Sequence, residues 1–366
     1  MRILLYSRVF PPAVGGMERF AEDLAGWLAG HGHAVTVATR TPTPRAADHV
    51  RSYRVLRAAS LGTLLGAARR ADVIHVNGLS VKGIALALSV GRRPVVTHAG
   101  HQAICPTGLA WNSDGGCSAG PRPGPCGGCA EQGLSVVAKV RAHRVGTQLA
   151  AINVCVSHYL AGRLGLLWNR VIYNPVATRA FAAQAPGPGE EGVIAFAGRL
   201  VAEKGLDLLI RALAYLPSAR LDVAGNGPLR ESLETLAKDL GVSSRVWFLG
   251  ERTFEGVAEL YARAAVVCVP SICHESFGYS AAEAMAMERP VVATPNGALP
   301  ELLGNSRGFV AERATPEALA VALSGALVDP AARSRVAASA QAFALAELDI
   351  GVIGRRYVQC YEDAAR

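Results

Sequence analysis

Short runs of apolar residues alternate along the chain with segments in which apolar and polar residues repeat at helical spacing. The run Arg2–Tyr6 predicts a buried strand, and Met17–Ala29 predicts an amphipathic helix that follows it. The same alternation predicts the strands His33–Thr39, Tyr53–Arg57, Asp72–Val76, Pro94–His98, Ile152–Val156 and Val171–Tyr173, and the helix Ser135–Ala150. Strands that alternate with helices are typical of parallel sheets covered on both faces, so this region has the pattern of an α/β domain.

The alternation is interrupted over Phe181–Gly192, a stretch rich in proline and glycine that we interpret as a linker between two domains. It then resumes with the strands Val193–Ala197, Arg220–Ala224, Arg245–Leu249, Val266–Val269 and Pro290–Ala293, and the helices Gly205–Leu216, Pro228–Leu240, Glu255–Ala264 and Gly278–Ala286. From Pro316 onward the pattern is helical. A length of 366 residues suits two domains better than one core.

The size of the apolar runs argues against a membrane-spanning protein. Apolar residues make up 51% of the chain, but runs such as Gly83–Val90 fall well short of the roughly 20 residues that a spanning helix needs. The start, Met1–Tyr6, turns polar at Ser7 and has no small-residue cleavage site, so it reads as a strand and not as a signal peptide. We therefore expect a cytoplasmic protein.

The formal net charge of +8 raises the question of an anionic partner. The positive residues are scattered, without a block of five or more, so no nucleic-acid partner is expected. The positive charge is consistent with anionic substrates and with a peripheral contact with the anionic inner face of a membrane.

Two adjacent glycines, Gly15 and Gly16, stand between the first predicted strand and its helix. Glycines at a helix start let backbone N–H groups approach a phosphate. A plain tight turn explains them equally well. The dinucleotide fingerprint G-x-G-x-x-G is missing, which disfavours an NAD-dependent oxidoreductase.

Two cations, Arg199 and Lys204, follow the strand that ends at Gly198 and precede a predicted helix. Positive charge at the carboxyl end of a parallel strand is what a diphosphate needs, although an exposed loop with incidental charges is the alternative. A second glycine turn, Gly225-Asn226-Gly227, follows the next strand, and a structural turn is at least as good an interpretation of it as a ligand contact.

The sharpest motif is a pair of carboxylates, Glu275 and Glu283, that brackets the start of a predicted helix. A carboxylate in the loop can accept hydrogen bonds from sugar hydroxyls, and one on the helix can hold ribose hydroxyls. The alternative is two solvated glutamates. It is weakened by the apolar neighbours Phe277, Ala281 and Met285, because glutamate is rarely buried without a partner.

Taken together, these motifs resemble the retaining glycosyltransferases of family 4. The resemblance rests on Gly198-Arg199-Leu200 with Lys204-Gly205, on Gly225-Asn226-Gly227-Pro228, on the Glu-x7-Glu segment, and on Val156-Ser157 and Val171–Val176. It implies an α/β protein of GT-B fold, with two Rossmann-like domains facing a central cleft. The domains would be an N-terminal acceptor-side domain over 1–178 with a cysteine-rich insertion at 100–133, a donor-binding domain over 179–349, and a last helix, 350–366, that crosses back.

The resemblance also implies roles for individual residues. Arg199 and Lys204 would neutralise the donor diphosphate, so that it leaves without a catalytic metal. Glu275 would contact the transferred sugar and Glu283 the ribose. The remaining implied donor contacts are Gly15 and Gly16, Gly198, Gly225, and the segment Phe277, Gly278 and Tyr279. His98, after its strand, matches the family's histidine near the reacting carbon.

The activity that the resemblance implies is transfer of a hexose-type sugar with retention of anomeric configuration. The donor would be a nucleotide sugar, UDP-sugar before GDP-sugar, and the acceptor a hydroxyl group in a cell-envelope glycan, a glycolipid or a natural product. A nucleotide-sugar epimerase or hydrolase of the same fold would share the donor residues. A non-catalytic sugar-nucleotide-binding protein is a further alternative, against which Arg199, Lys204, Glu275 and His98 argue together.

Four of the eight cysteines, Cys105, Cys117, Cys126 and Cys129, lie within the insertion after His98. Four thiolates, the last two in a C-x2-C pair with glycines between them, suit a tetrahedral structural zinc. The long first two gaps favour the alternative, a loop with free or redox-active thiols. In either case the insertion lies where the family binds its acceptors.

Overall fold

The computed structural model describes residues 1–13, 15–42, 48, 51–112, 115–117, 133–184, 187 and 189–366. Two compact units make up the chain. The first comprises Met1–Ala110, Cys117–Pro175 and Ile350–Arg366, and the second comprises Trp111–Gly116 and Val176–Asp349.

The first unit is built on a parallel seven-stranded sheet. Its strands are β1 (Arg2–Ser7), β2 (Ala34–Thr39), β3 (Arg54–Arg57), β4 (Val73–Asn77), β5 (Val95–His98), β8 (Ile152–Cys155) and β9 (Asn169–Val171), in the spatial order β3-β2-β1-β4-β5-β8-β9. The short strands β6 (Trp111–Asn112) and β7 (Gly115–Gly116), which belong to the second unit, pair only with each other among the described residues. Most residues of β1 to β5 are buried because helices cover both faces of a parallel sheet.

The helices of this unit lie between the strands and at the end of the chain. They are α1 (Gly16–Gly30), α2 (Leu61–Arg70), α3 (Val81–Leu88), α4 (Gly133–Gln148), α5 (His158–Leu164) and the C-terminal α14 (Ile350–Ala365). Serine side chains cap α2, α3 and α5 by accepting a hydrogen bond from a backbone N–H in the first turn.

The second unit repeats the plan with a parallel six-stranded sheet. Its strands are β10 (Glu190–Ala197), β11 (Arg220–Ala224), β12 (Val246–Gly250), β13 (Ala264–Val269), β14 (Val291–Ala293) and β15 (Phe309–Val310), in the order β12-β11-β10-β13-β14-β15. Its helices are α6 (Thr178–Ala182), α7 (Leu206–Leu213), α8 (Arg230–Asp239), α9 (Phe254–Arg263), α10 (Tyr279–Ala286), α11 (Leu299–Leu303), α12 (Pro316–Val328) and α13 (Pro330–Glu347).

The C-terminal helix α14 completes the core of the first unit through a buried polar cluster. Its Tyr361 hydroxyl lies 2.8 Å from His75 Nδ1, and its Tyr357 hydroxyl lies 2.9 Å from Thr97 Oγ1. Thr97 Oγ1 also lies 2.7 Å from His75 Nε2. The ring of Tyr357 stacks on His75 with 5.3 Å between ring centroids. Because all four side chains are fully buried and hydrogen-bonded, the cluster fixes α14 on β4 and β5.

The linker predicted over Phe181–Gly192 is wrong in its position. Phe181 is 1% exposed inside α6, with its ring 4.5 Å from that of Phe254, and Glu190 already opens β10. The change of unit occurs earlier, between Pro175 and Val176. Both prolines of this stretch lie outside the described residues, and the residues at the change of unit lack linker composition.

Other differences concern short elements. The edge strand β9 lies at Asn169–Val171 and not at Val171–Tyr173, because pairing with β8 sets its register from Asn169, and the buried Ile172 follows the strand. The alternation did not predict α2 and α3, in which glycines interrupt the helical pattern. Among the described residues, no helix combines the length and the apolar character that crossing a bilayer would require.

Candidate functional site

The strand order of the second unit reverses between β10 and β13, which are neighbours in the sheet. Ligands of open α/β sheets bind outside the carboxyl ends of the strands at such a point. Two predicted motifs start there, since Gly198 follows β10 and Pro270 follows β13. The topology therefore brings the Arg199–Lys204 segment and the Glu275 segment to one edge of the sheet.

At this edge Lys204 and Glu275 form an ion pair. Lys204 Nζ donates a hydrogen bond to Glu275 Oε1 at 2.6 Å, and Ser271 Oγ donates to the same oxygen at 2.7 Å. The side chain of Lys204 is 29% exposed and that of Glu275 is 13% exposed. A partly buried cation thus lies beside a partly buried carboxylate, and both side chains keep some exposure to solvent.

The pKa values of the pair shift in opposite directions. Burial raises the pKa of Glu275, but attraction to Lys204 and the hydrogen bonds from Lys204 and Ser271 outweigh it, so the net shift is downward. Burial lowers the pKa of Lys204, and attraction to Glu275 with their shared hydrogen bond shifts it upward overall. Both groups are therefore charged at neutral pH.

A tight turn holds Lys204 in place. Residues Ala202–Lys204 form one turn of 3₁₀ helix, ended by Gly205 with a φ of 64°. A Cβ on Gly205 would lie 2.1 Å from the carbonyl oxygen of Pro270, so only glycine fits there. The carbonyl of Glu203 accepts hydrogen bonds from the backbone N–H groups of Ile272 at 3.1 Å and of Cys273 at 3.2 Å. The two loops are thereby joined directly beneath the ion pair.

Arg199 has a different environment from Lys204. Its side chain is 67% exposed, and its Nη2 lies 3.3 Å from Glu203 Oε1. A surface pair of this kind is weak, on the order of 0 to 1 kcal/mol. Arg199 can therefore swing toward an anion, whereas Lys204 is held in position.

The glycines Gly198 and Gly225 let two loops approach each other closely. A Cβ on Gly225 would lie 1.8 Å from the carbonyl oxygen of Gly198, and the φ of Gly225 is 139°. The backbone N–H of Gly198 donates to Ala224 at 3.0 Å. This contact gives Gly225 a structural role, and its contact with a donor stays a prediction.

The segment before α10 places aromatic and acidic side chains together. Gly278 has a φ of 100° at the helix start, Phe277 is 2% exposed, and the rings of Phe277 and Tyr279 meet edge to face at 5.2 Å. Glu283 is half-buried one turn into α10. Burial raises the pKa of Tyr261 well above its ordinary value, and the negative charge of Glu283 raises it further.

In the first unit, Gly15 and Gly16 lie at the start of α1, as their position after β1 predicts. Val14 lies outside the described residues. A Cβ on Gly15 would come within 2.6 Å of Glu18 Oε2, so the carboxylate of Glu18 lies over the helix start. A negative group at this point is favoured by the helix dipole.

His98 ends β5 and is 1% exposed. Its Nε2 lies 2.9 Å from Asn153 Oδ1, whereas its Nδ1 has no hydrogen-bond partner among the described residues. Burial lowers the pKa of His98 to about 4, with a smaller opposing effect of the Asn153 hydrogen bond. The imidazole is therefore neutral at pH 7.

Asn153 fixes the tautomer of His98. Asn153 Nδ2 donates to the carbonyl oxygens of Thr147 at 3.0 Å and of Leu167 at 2.9 Å, which orients the amide. Its Oδ1 must then accept from His98 Nε2, and Nδ1 of His98 carries the free lone pair. Sequence reasoning missed Asn153 and also Ser271, although a serine four residues before Glu275 was a usable signal.

The cysteine motif is only partly described. Cys105 Sγ lies 3.2 Å from Thr107 Oγ1, and the backbone N–H of Cys117 donates to Ala110 at 2.8 Å. Cys126 and Cys129 lie outside the described residues. Within the described ranges no three His, Cys, Asp or Glu side chains are grouped to hold a metal, and the zinc site stays a prediction.

We expect the first unit to lose stability as the pH falls from 6.5 toward 4. Burial lowers the pKa of His75 to about 3 and that of His98 to about 4, so the unfolded chain binds these protons first. Each histidine then lowers the free energy of unfolding by on the order of 1.4 kcal/mol per pH unit. Urea unfolding at several pH values measures this, and His75→Phe should reduce the slope. An unchanged slope in that variant would contradict the interpretation.

Comparison with protein families gives two matches. A family described as Glycosyltransferase Family 4 matches residues 14–180, and one described as Glycosyl transferases group 1 matches residues 178–343. The D-inositol 3-phosphate glycosyltransferase of Mycobacteroides abscessus is 41% identical over 142 residues. That alignment covers 37% of this chain and 32% of the relative, so the chain matches about a third of that protein.

Three solved structures are similar in fold to this chain over nearly its whole length. Anabaena HepE in complex with UDP gives a TM-score of 0.79 at 20% identity, covering 99% of this chain and 100% of that one. HepE has also been solved with UDP-glucose, with a TM-score of 0.75 at 20% identity and 99% of each chain covered. Sucrose-phosphate synthase from Thermosynechococcus elongatus gives 0.78 at 21% identity, covering 99% and 98%. The predicted GT-B fold class, with two Rossmann-like domains, is confirmed.

Proposed function

Because the chain belongs to the family 4 glycosyltransferases, we propose that it is a retaining hexosyltransferase that transfers sugar from a UDP-sugar to a hydroxyl acceptor. The observation that carries this proposal is the ion pair of Lys204 with Glu275 where the strand order reverses. In a nucleotide sugar the diphosphate is negative and the sugar is rich in hydroxyl groups. A fixed cation suits the diphosphate, and a neighbouring carboxylate can accept hydrogen bonds from the sugar.

In this proposal the cations act on the leaving group. Negative charge develops on the diphosphate as its bond to the sugar breaks, and Lys204, already held in position, stabilises that charge without reorganisation. Arg199, being exposed, closes on the diphosphate when the donor binds. Glu275 accepts hydrogen bonds from sugar hydroxyls, and Glu283 accepts them from the ribose.

Retention of configuration follows from attack on the same face that the diphosphate leaves. The bond between the anomeric carbon and the phosphate oxygen breaks, the bond to the acceptor oxygen forms, and the acceptor proton moves to the leaving phosphate. His98, neutral at pH 7, holds its Nδ1 lone pair ready to accept a hydrogen bond from a donor hydroxyl. The protein contributes positioning and charge stabilisation.

The preference for UDP over GDP is supported by HepE, which has been solved with UDP and with UDP-glucose. The acceptor that we propose is a hydroxyl group of a cell-envelope glycan, a glycolipid or a natural product. The inositol phosphate named for the curated relatives is one acceptor to include in an assay.

Thermal unfolding with a panel of nucleoside diphosphates tests the donor site. We expect UDP to stabilise the protein by about 2.7 kcal/mol at one hundred times its Kd. Arg199→Ala and Glu283→Ala should lose this stabilisation, whereas Arg211→Ala, which removes an exposed charge elsewhere in the same unit, should keep it. Turnover of UDP-glucose only with an acceptor present would separate a transferase from a hydrolase. A folded sample that no nucleotide stabilises would overturn the proposal.

A further inference from the structure

A pocket lies in the first unit, at the end of the sheet opposite His98. It is open to solvent and has a volume of about 500 Å³ where β4 and β8 begin, near Val73 and Ile152, whereas His98 ends its strand. Its volume is within the range of small-molecule sites, roughly 300 to 1,000 Å³. None of the residues assigned to the donor or to the acceptor lines it.

The charges in the pocket do not cancel. Its lining includes two carboxylates, Asp72 and Asp363, and three arginines, of which Arg92 and Arg93 are chain neighbours and Arg366 lies 4.0 Å from Asp363. Each carboxylate is paired with a different arginine, Asp72 with Arg2 at 2.6 Å and Asp363 with Arg170 at 2.7 Å.

Arg92 and Arg93 are left with neutral acceptors. Arg92 Nη1 donates to the backbone carbonyl of Asp72 at 3.0 Å, and Arg93 Nη2 donates to that of Ala150 at 2.7 Å. Among the described residues neither guanidinium has a carboxylate partner. These bonds fix the two guanidinium groups while leaving their positive charge uncompensated.

Trp168 lines the pocket in an unusual backbone conformation, and its chain neighbour Leu167 lies next to it in sequence. Trp168 is 68% exposed, its neighbour Leu167 is 66% exposed, and the φ of Trp168 is 53°, rare for a bulky residue. Asn153 fixes this turn, since its backbone N–H donates to the Trp168 carbonyl at 2.9 Å and its Nδ2 donates to that of Leu167. The protein thus holds an exposed indole beside two unpaired guanidinium groups.

We propose that this pocket binds a phosphate group. Two fixed guanidinium groups present several donors to phosphate oxygens, the anion that arginine recognises best. Trp168 and Leu167 contact the apolar part of the molecule that carries the phosphate, whether the molecule is a phospholipid at a membrane surface or a soluble phosphate ester. The site is separate from the donor site and does not depend on the proposed reaction.

Two binding assays distinguish the sources of the phosphate. Sedimentation with phosphatidylglycerol vesicles, compared with phosphatidylcholine vesicles, tests the lipid, and calorimetric titration with glycerol 3-phosphate tests the soluble ester. Arg92→Gln/Arg93→Gln removes both charges but keeps side-chain donors for the backbone carbonyls. Loss of two cations should weaken vesicle binding about thirty-fold.

The matched control is Arg69→Gln/Arg70→Gln, which removes two adjacent exposed arginines from α2 of the same unit. We expect it to bind nearly as well as the unchanged protein. Trp168→Phe should remove the change in tryptophan emission that accompanies binding. Binding in either assay that the Arg92/Arg93 variant loses and the control keeps supports the proposal. No binding in both assays, or equal weakening by both double variants, overturns it.

Discussion

Replacing Lys204 with alanine is expected to lower the rate of sugar transfer by about two to three orders of magnitude, as loss of a fixed charge-stabilising group does. It should also lower stability by about 3 kcal/mol, because the partly buried Glu275 carboxylate loses its paired cation and, among the described residues, keeps the Ser271 hydroxyl as its side-chain hydrogen-bond donor. Steady-state kinetics and urea unfolding of the same samples measure the two effects.

Comparing Lys204→Ala with Arg199→Ala separates an effect on donor binding and transfer from an effect on the free energy of unfolding. Arg199 is 67% exposed and weakly paired, so its loss should change the free energy of unfolding by less than about 1 kcal/mol while weakening donor binding. A double-mutant cycle of Lys204→Ala with Glu275→Gln should show a coupling of about 1 to 3 kcal/mol in stability. Additive effects would mean that the ion pair does not form in solution.

Tyr357→Ala is the substitution that we expect to destabilise the first unit most. Tyr357 is fully buried, stacks on His75 and is hydrogen-bonded to Thr97. Truncation of a buried aromatic residue lowers stability by about 3 to 5 kcal/mol, a large part of the 5 to 15 kcal/mol typical of a protein. Scanning calorimetry should show that this unit unfolds at a lower temperature.

Two further tyrosine variants show whether the loss of stability in Tyr357→Ala comes from the buried ring or from the hydrogen bond. Tyr357→Phe keeps the ring and loses one hydrogen bond, so we expect a loss of about 1 kcal/mol. Tyr215→Ala removes a side chain that is 57% exposed and should change stability by less than about 0.5 kcal/mol. Equal losses in Tyr357→Ala and Tyr215→Ala would contradict the view that α14 is part of the core.

Much of the fold could be predicted from the alternation of short apolar runs and helical segments. Buried parallel strands such as β1 and β13 are mostly continuous apolar runs, and they are bounded by polar residues or proline. The Lys204 and Glu275 motifs were recognisable because each follows such a strand. Their direct contact is a consequence of strand order, since β10 and β13 are neighbours although β11 and β12 lie between them in sequence.

The supporting residues could not be predicted in the same way. Asn153 is a polar residue within a buried strand, and nothing in its local pattern indicates that it bonds His98, which lies 55 positions away in the sequence. Gly225 is similar, because its requirement for glycine arises from the approach of Gly198 on another loop. Such roles depend on tertiary contacts, which periodicity does not contain.

The position of α14 has a consequence for how the protein is made on the ribosome. The segment Ile350–Arg366 belongs to the first unit, yet it is translated after the whole of the second unit. Domains generally fold as units during synthesis, N-terminal first. Here the nascent first unit would expose Phe20, His75 and Thr97 until the segment Ile350–Arg366 emerges, so the second unit can finish folding before the first.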